Sequence, residues 1–209
     1  DKKHLTPLSR FIAQTCAGIF TAIVLILTNT VGNPTKYLIF DVLLTIIWVV
    51  GICNAINFFD NMDGAAGGIS ALAGFGFAII GLQNGQYFVA AFGLVLSGAC
   101  VGYLFWNWNP AKIYMGDAGA LFIGIILAAL AVRVDPVSVN GIGAFFVPIC
   151  VLALPILDTT TVVIDRLRRK VSPFEGGLDH LSHRLRRKGL SVRQSVTTLC
   201  LFQVISILI

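Results

Sequence analysis

Residues 38–64 read LIFDVLLTIIWVVGICNAINFFDNMDG, an apolar run followed in close succession by Asn54, Asn57, Asp60, Asn61 and Asp63. Crossing about 30 Å of bilayer hydrocarbon takes roughly 20 predominantly apolar residues. The stretch therefore predicts a membrane-spanning helix that ends in a polar cluster at the membrane boundary. The same pattern recurs along the chain, with apolar windows near 9–29, 38–57, 65–82, 87–105, 118–132, 142–164 and 192–209. Between them lie Gly32-Asn33-Pro34, Gln83-Asn84-Gly85-Gln86, Asn107-Trp108-Asn109-Pro110 and Asp135-Pro136, the residue types that punctuate helices. The expected fold is all-α, a polytopic transmembrane helix bundle of about seven spans in one domain over residues 1–209. Small residues four apart suit close helix packing: Gly64 with Gly68, Gly98 with Gly102, and Ala120 with Gly124.

Composition agrees. The chain is 56% hydrophobic and 12% charged, with a mean hydropathy of +0.86, whereas soluble domains carry roughly 25% charged residues. The net charge of +5 in so apolar a chain marks loops that face an anionic inner leaflet, not a nucleic-acid surface. Cys16, Cys53, Cys100, Cys150 and Cys200 stand singly, without metal-ligand spacing. The chain opens at Asp1 without a Met and closes within an apolar run at Ile209. It is expected to be part of a longer protein, incomplete at the N-terminus and at the C-terminus as well.

Seven spans sort the loops to two sides. One side receives Lys2, Lys3, Arg10, Lys112 and the basic residues between Arg166 and Arg193; the other receives only Lys36 and Arg133. The positive-inside rule makes the first side cytoplasmic. That side also collects Asp1, Asp60, Asp63, Asp117, Asp165, Glu175 and Asp179, with His4, His180 and His183.

Three segments on that side carry chemistry. In the first, Asn54 and Asn57 are spaced like Asp60 and Asp63, so each pair shares a face if the helix continues. Asp63 ahead of Gly64-Ala65-Ala66 would serve as an N-cap, but polar groups embedded in an apolar stretch are costly unless paired or used. The second is Tyr114-Met115-Gly116-Asp117-Ala118-Gly119, a carboxylate flanked by glycines where a ligand can approach, and of the oxygen type that Mg²⁺ prefers. The third runs from Asp165 to Arg193 and contains Ser172-Pro173-Phe174-Glu175 and Asp179-His180-Leu181-Ser182-His183-Arg184. Two imidazoles beside a guanidinium can hold phosphate oxygens. Arg166, Arg168, Arg169 and Lys170 read as lipid anchors.

NAINFFDNMDG resembles the NxxNxxDxxDG signature of the polyprenyl-phosphate N-acetylhexosamine-1-phosphate transferases, of glycosyltransferase family 4. YMGDAG resembles their MGDxG signature, SPFEGGLDHLSHRL their SPF…HLHHRL loop, and Asp1-Lys2-Lys3 the second half of their Asp-Asp motif. The resemblance runs in order along essentially the whole chain. It departs from the pattern at Ser182, where relatives often carry His, and at Asn61, where many carry Gly.

The resemblance implies an activity: transfer of N-acetylhexosamine 1-phosphate, N-acetylglucosamine by the form of the HLSHRL loop, from a UDP-sugar to undecaprenyl or another polyprenyl phosphate, releasing UMP. It implies Mg²⁺, with Mn²⁺ as a substitute, held by Asp117 and Asn57. Asp1, Asp60, Asp63, His180 and His183 are the implied catalytic residues. Asn54, Asn57, Asp63, His180, His183 and Arg184 are the implied substrate-binding residues. The implied partners are the UDP-sugar donor, the lipid acceptor and the membrane, with a homodimer as a possible assembly and no nucleic acid. The site is expected on the cytoplasmic face of an inner or plasma membrane. Two alternatives are the phospho-N-acetylmuramoyl-pentapeptide transferase branch and a proton-coupled transporter. A transporter would need acids within its spans, and Asp158 in the sixth window is the candidate.

Overall fold

The computed structural model describes residues 7–28, 37–135, 143–172 and 177–208. They form helices α1 (Pro7–Leu27), α2 (Leu38–Phe59), α3 (Ala65–Gln83), α4 (Tyr87–Asn107), α5 (Gly116–Arg133), α6 (Gly143–Val151), α7 (Ala153–Arg168), α8 (Leu181–Arg187) and α9 (Val192–Leu208). Helices α2, α3, α4 and α5 are long and apolar enough to cross a membrane, while α9 and the Phe11–Leu27 part of α1 are apolar but shorter. The chain is a multi-pass membrane protein, and the seven windows correspond to α1 through α5, the pair α6–α7, and α9.

The middle of the bundle is α3, packed against α4, α9, α5 and α2. Lipid tails are as apolar as leucine, so helices associate in a bilayer through close packing of small residues. The α3–α4 contact works this way: a Cβ added at Gly93 would lie 2.6 Å from the Gly74 carbonyl oxygen, and one at Gly81 2.8 Å from the Ala90 nitrogen. Gly124 of α5 similarly rides on Cys53 of α2, where an added Cβ would meet the Cys53 Cα at 2.7 Å. Nothing lies within 4 Å of a Cβ added at Gly98 or Gly102. The glycines of α4 that matter are thus not the pair chosen by spacing. The apolar side chains of Leu43, Leu44, Ile47, Val95 and Phe105 are exposed and form the hydrocarbon-facing surface.

The sixth window is broken rather than continuous. Pro155 lacks the N–H that would bond the Val151 carbonyl one turn back, and its ring crowds that carbonyl. Leu152 leaves helical geometry at φ −110°, ψ 18°. The freed Val151 oxygen accepts a 2.6 Å bond from Nε2 of the buried Gln203 of α9. A polar side chain in the bundle interior thus satisfies the backbone group that the proline orphans, as a bilayer requires.

Candidate active site

The C-terminal ends of α2, α4 and α7, the N-terminal ends of α3, α5 and α9, and helix α8 all lie at one end of the bundle. The acids, amides and histidines of the three segments meet there. Helix α2 stops at Asp60, whose N–H bonds back to the Ile56 and Asn57 carbonyls. Asp60 and Asp63 therefore do not share a helical face: they flank a turn into α3, with Gly64 at φ 82° as the N-cap. That left-handed conformation, with Trp108 carbons 3.0 and 3.3 Å from where a Cβ would stand, calls for glycine.

Asp63 does not cap α3. Its Oδ2 accepts from Asn109 Nδ2 at 2.9 Å and from the Ala111 N–H at 3.0 Å. Asn107 Oδ1 accepts the Gly64 N–H at 2.9 Å, while its Nδ2 donates to the Ile113 carbonyl at 2.8 Å. The Asn107–Pro110 connector, which the sequence marks only as a break between helices, thus fastens the Asp63 turn to the start of α5. Asn61 donates to the Phe58 carbonyl at 2.7 Å. Asn54 donates to the Val50 carbonyl of its own helix at 2.8 Å, a turn further into the bundle than Asn57.

Asn57 Nδ2 donates to Asp117 Oδ1 at 3.2 Å, joining α2 to the first turn of α5. Gly116 precedes Asp117 at φ 66°, and its backbone N–H favours the charged form of Asp60, a smaller effect than those that raise it. Burial, followed by the charges of Asp117 and Asp63, pushes Asp60 up to about 6. The Asp117 and Asp63 carboxyls are close enough to Asp60 to repel its charge, so the three together present surplus negative charge. Among the described residues no three His, Cys, Asp or Glu side chains group as a metal cage. The residues nonetheless fit a Mg²⁺ that takes one or two protein oxygens and fills its shell with phosphate and water.

Facing the acids is α8. His180, its N-cap, places Nδ1 2.7 Å from Oδ2 of Asp158, and the Leu181 N–H donates to Asp158 Oδ1 at 2.6 Å. Asp158 is fully buried on α7. It is a partner of His180, not an acid standing in an ion path, and the transporter reading loses its candidate. The His180 ring meets Phe58 edge-on at 6.2 Å and lies 6.4 Å from the ring of His183. Ser182 Oγ donates to Asn61 Oδ1 at 2.5 Å.

Helical spacing divides α8 into two faces. His183, Arg186 and Arg187 line a cleft of ≈ 540 Å³ shared with Asn61, Met62 and Asp63. Burial, then the positive charge of His180, Arg187 and Arg186, holds His183 below its ordinary value. Arg184 falls on the other face. It is engaged by Asp165 and by the Asp179 carbonyl, and with Lys188 it borders an apolar groove of ≈ 610 Å³ between α7 and α9. Of the cations expected to hold phosphate, Arg184 is thus turned away from the acids, and Arg186 and Arg187 take the position beside them.

Arg166 differs from its neighbours too. It is 3% exposed, and its Nε donates to Asp179 Oδ2 at 2.9 Å while Arg169 reaches the same oxygen at 3.0 Å. Those two bonds hold the Asp179 carboxyl below the usual carboxylate range. Arg166 is a structural strut, not a lipid anchor. Asp1 and the Pro173–Glu175 part of the loop lie outside the described residues.

The model of Glycosyl transferase family 4 matches residues 1–135. A probable undecaprenyl-phosphate N-acetylglucosaminyl 1-phosphate transferase of Bacillus subtilis is 39% identical over 158 residues, covering 76% of this chain and 44% of that protein. A decaprenyl-phosphate N-acetylglucosaminephosphotransferase of Mycolicibacterium smegmatis is 32% identical, covering 97% of this chain and 56% of that protein. A phospho-N-acetylmuramoyl-pentapeptide-transferase of Listeria monocytogenes is 40% identical, over only 46% of this chain. The chain spans about half the length of the first two relatives.

Proposed function

Because the chain belongs to glycosyl transferase family 4, we propose that its full-length parent transfers N-acetylglucosamine 1-phosphate from UDP-N-acetylglucosamine to a polyprenyl phosphate, at the cytoplasmic face of the membrane. One observation carries the reading: Asn57, Asp60, Asp63 and Asp117 gather at one end of the bundle, and Asp63 lines a cleft with His183, Arg186 and Arg187. Acids on one wall and cations on the other suit a nucleotide diphosphate.

In the proposed reaction an oxygen of the lipid phosphate attacks the phosphorus that carries the sugar. The new bond is P–O between acceptor and sugar phosphate; the bond that breaks joins that phosphorus to the oxygen bridging to UMP, which leaves with it. His183, Arg186 and Arg187 bind the diphosphate oxygens and stabilise the charge spread over a loose transition state. Asp117 and Asn57 would hold Mg²⁺, which when bound supplies charge neutralisation for the diphosphate. Asp63 is held by Asn109 and Ala111 and orients the turn that presents Asp60. The acceptor phosphate is mostly ionised near neutral pH, so the role given to Asp1 is to position it. The apolar groove between α7 and α9 suits a stretch of the acceptor's hydrocarbon tail.

The 39% and 32% identities to N-acetylglucosamine-phosphate transferases reach further along the chain than the match to the muramoyl branch. Donor competition separates the branches: the full-length protein, given undecaprenyl phosphate, should form a sugar lipid from UDP-N-acetylglucosamine. Product only from the UDP-muramoyl-pentapeptide would move it to the sister branch.

A further inference from the structure

Asp158 is the one fully buried acid in the α7 portion of the sixth window, and neither of its oxygens is idle. Oδ1 accepts the Leu181 N–H at 2.6 Å and Oδ2 meets His180 Nδ1 at 2.7 Å. Leu181 is the first residue of α8, so its N–H is one of the groups a helix start leaves without an intrahelical partner. A neutral acceptor would satisfy that N–H at far lower desolvation cost than a carboxylate at the membrane boundary. The imidazole is what repays the charge. A carboxylate that already accepts a backbone N–H takes Nδ1–H of His180 as its second donor. Nε2, across the ring, is then the only nitrogen of His180 available to a ligand.

The surroundings restrict what that ligand is. His180 is 6% exposed, its ring flanked edge-on by Phe58 and at a tilt by His183. Phe58 lies between Asn57 and Asp60 on the acid side, and His183 lines the cleft with Asp63. We infer that Asp158 is a positioning residue of the transfer site: it fixes the ring of His180 so that Nε2 meets a phosphate oxygen of the reacting diphosphate. A carboxylate that orients an imidazole by its other nitrogen is a general device for setting tautomer and direction. Here the carboxylate comes from α7 and the imidazole from the N-cap of α8.

The inference rests on the transferase reading, and kinetics on the full-length enzyme test the two separately. Asp158→Asn keeps shape and an acceptor for Leu181 but loses the charge. It should lower kcat roughly ten- to hundredfold while KM for UDP-N-acetylglucosamine changes by less than about threefold, with an unchanged melting temperature. In a His180→Gln background the same change should cost almost nothing further, because the two act as a unit. His180→Asn serves if Asp158→Asn does not fold: its Nδ2 stands in for Nδ1 and keeps the bond to Asp158, yet removes Nε2. It should fold and lose kcat to the same degree. Parental kcat in Asp158→Asn or in His180→Asn, or losses that multiply in the double variant, would overturn the inference. An inactive wild type would instead strike the transferase reading, and this role with it.

Discussion

Ser182 and Asn61, separated by 121 positions in the chain, share a 2.5 Å hydrogen bond, and they are the two residues at which the chain departs from the motifs it otherwise follows. The departures are therefore one feature. Through them α8 is clipped to the turn that carries Asp60 and Asp63. Asn61→Ala and Ser182→Ala should each lower stability by about 1 kcal/mol. The double variant should lose little more than either single one, which a double-mutant cycle of melting temperatures measures.

The small-residue contact between α3 and α4 can be probed by contrast. Gly93→Val places its Cβ into the Gly74 carbonyl and should destabilise the bundle by roughly 1–3 kcal/mol. Gly98→Ala has open space and should be neutral or mildly stabilising. Thermal unfolding in detergent would rank the two; equal effects would argue against the packing described.

The break at Leu152 makes a coupled expectation. Gln203→Leu should destabilise by about 1 kcal/mol, since the Val151 carbonyl loses its donor. In a Pro155→Ala background, where the backbone can close the helix, the same change should cost less. An undiminished cost would mean that Gln203 matters for some other reason.

His183 gives a pH dependence whose sign is fixed. Burial and neighbouring positive charge lower its folded value, so just below pH 6.5 the folded protein holds fewer protons than the unfolded one. The group's contribution to stability then rises with pH through that window and is complete above it. A bound phosphate reverses the local charge and raises the value. Binding of UDP-N-acetylglucosamine, whose diphosphate has no group titrating near this pH, to the full-length enzyme near pH 6.5 should therefore take up protons, read by calorimetry in buffers of different ionisation enthalpy, and His183→Gln should diminish the uptake.

The spans α2 to α5 were legible because hydrocarbon thickness sets the length of an apolar helix that crosses it. The convergence of Asn57, Asp60, Asp63, Asp117 and the α8 histidines was legible because charge sorting put them on one side. What escaped were features set by partners rather than by local pattern. Asp158 reads as an isolated acid until His180 is beside it, Arg166 as one more loop cation until Asp179 is, and Asn107 and Asn109 as helix punctuation. Arg184 stood next to His183 in sequence, but one residue is about 100° of helix, enough to turn it to the other face of α8. The break at Leu152 had a visible signal, Pro155 within an apolar run.

The most direct test is UMP release by the full-length enzyme in detergent from UDP-N-acetylglucosamine, with undecaprenyl phosphate and Mg²⁺, for wild type and Asp117→Ala. The account expects release that needs both lipid and metal and falls at least a hundredfold in the variant, as the loss of a group stabilising developing charge does. Equal release by folded Asp117→Ala, or no lipid-dependent release by the wild type, would contradict it.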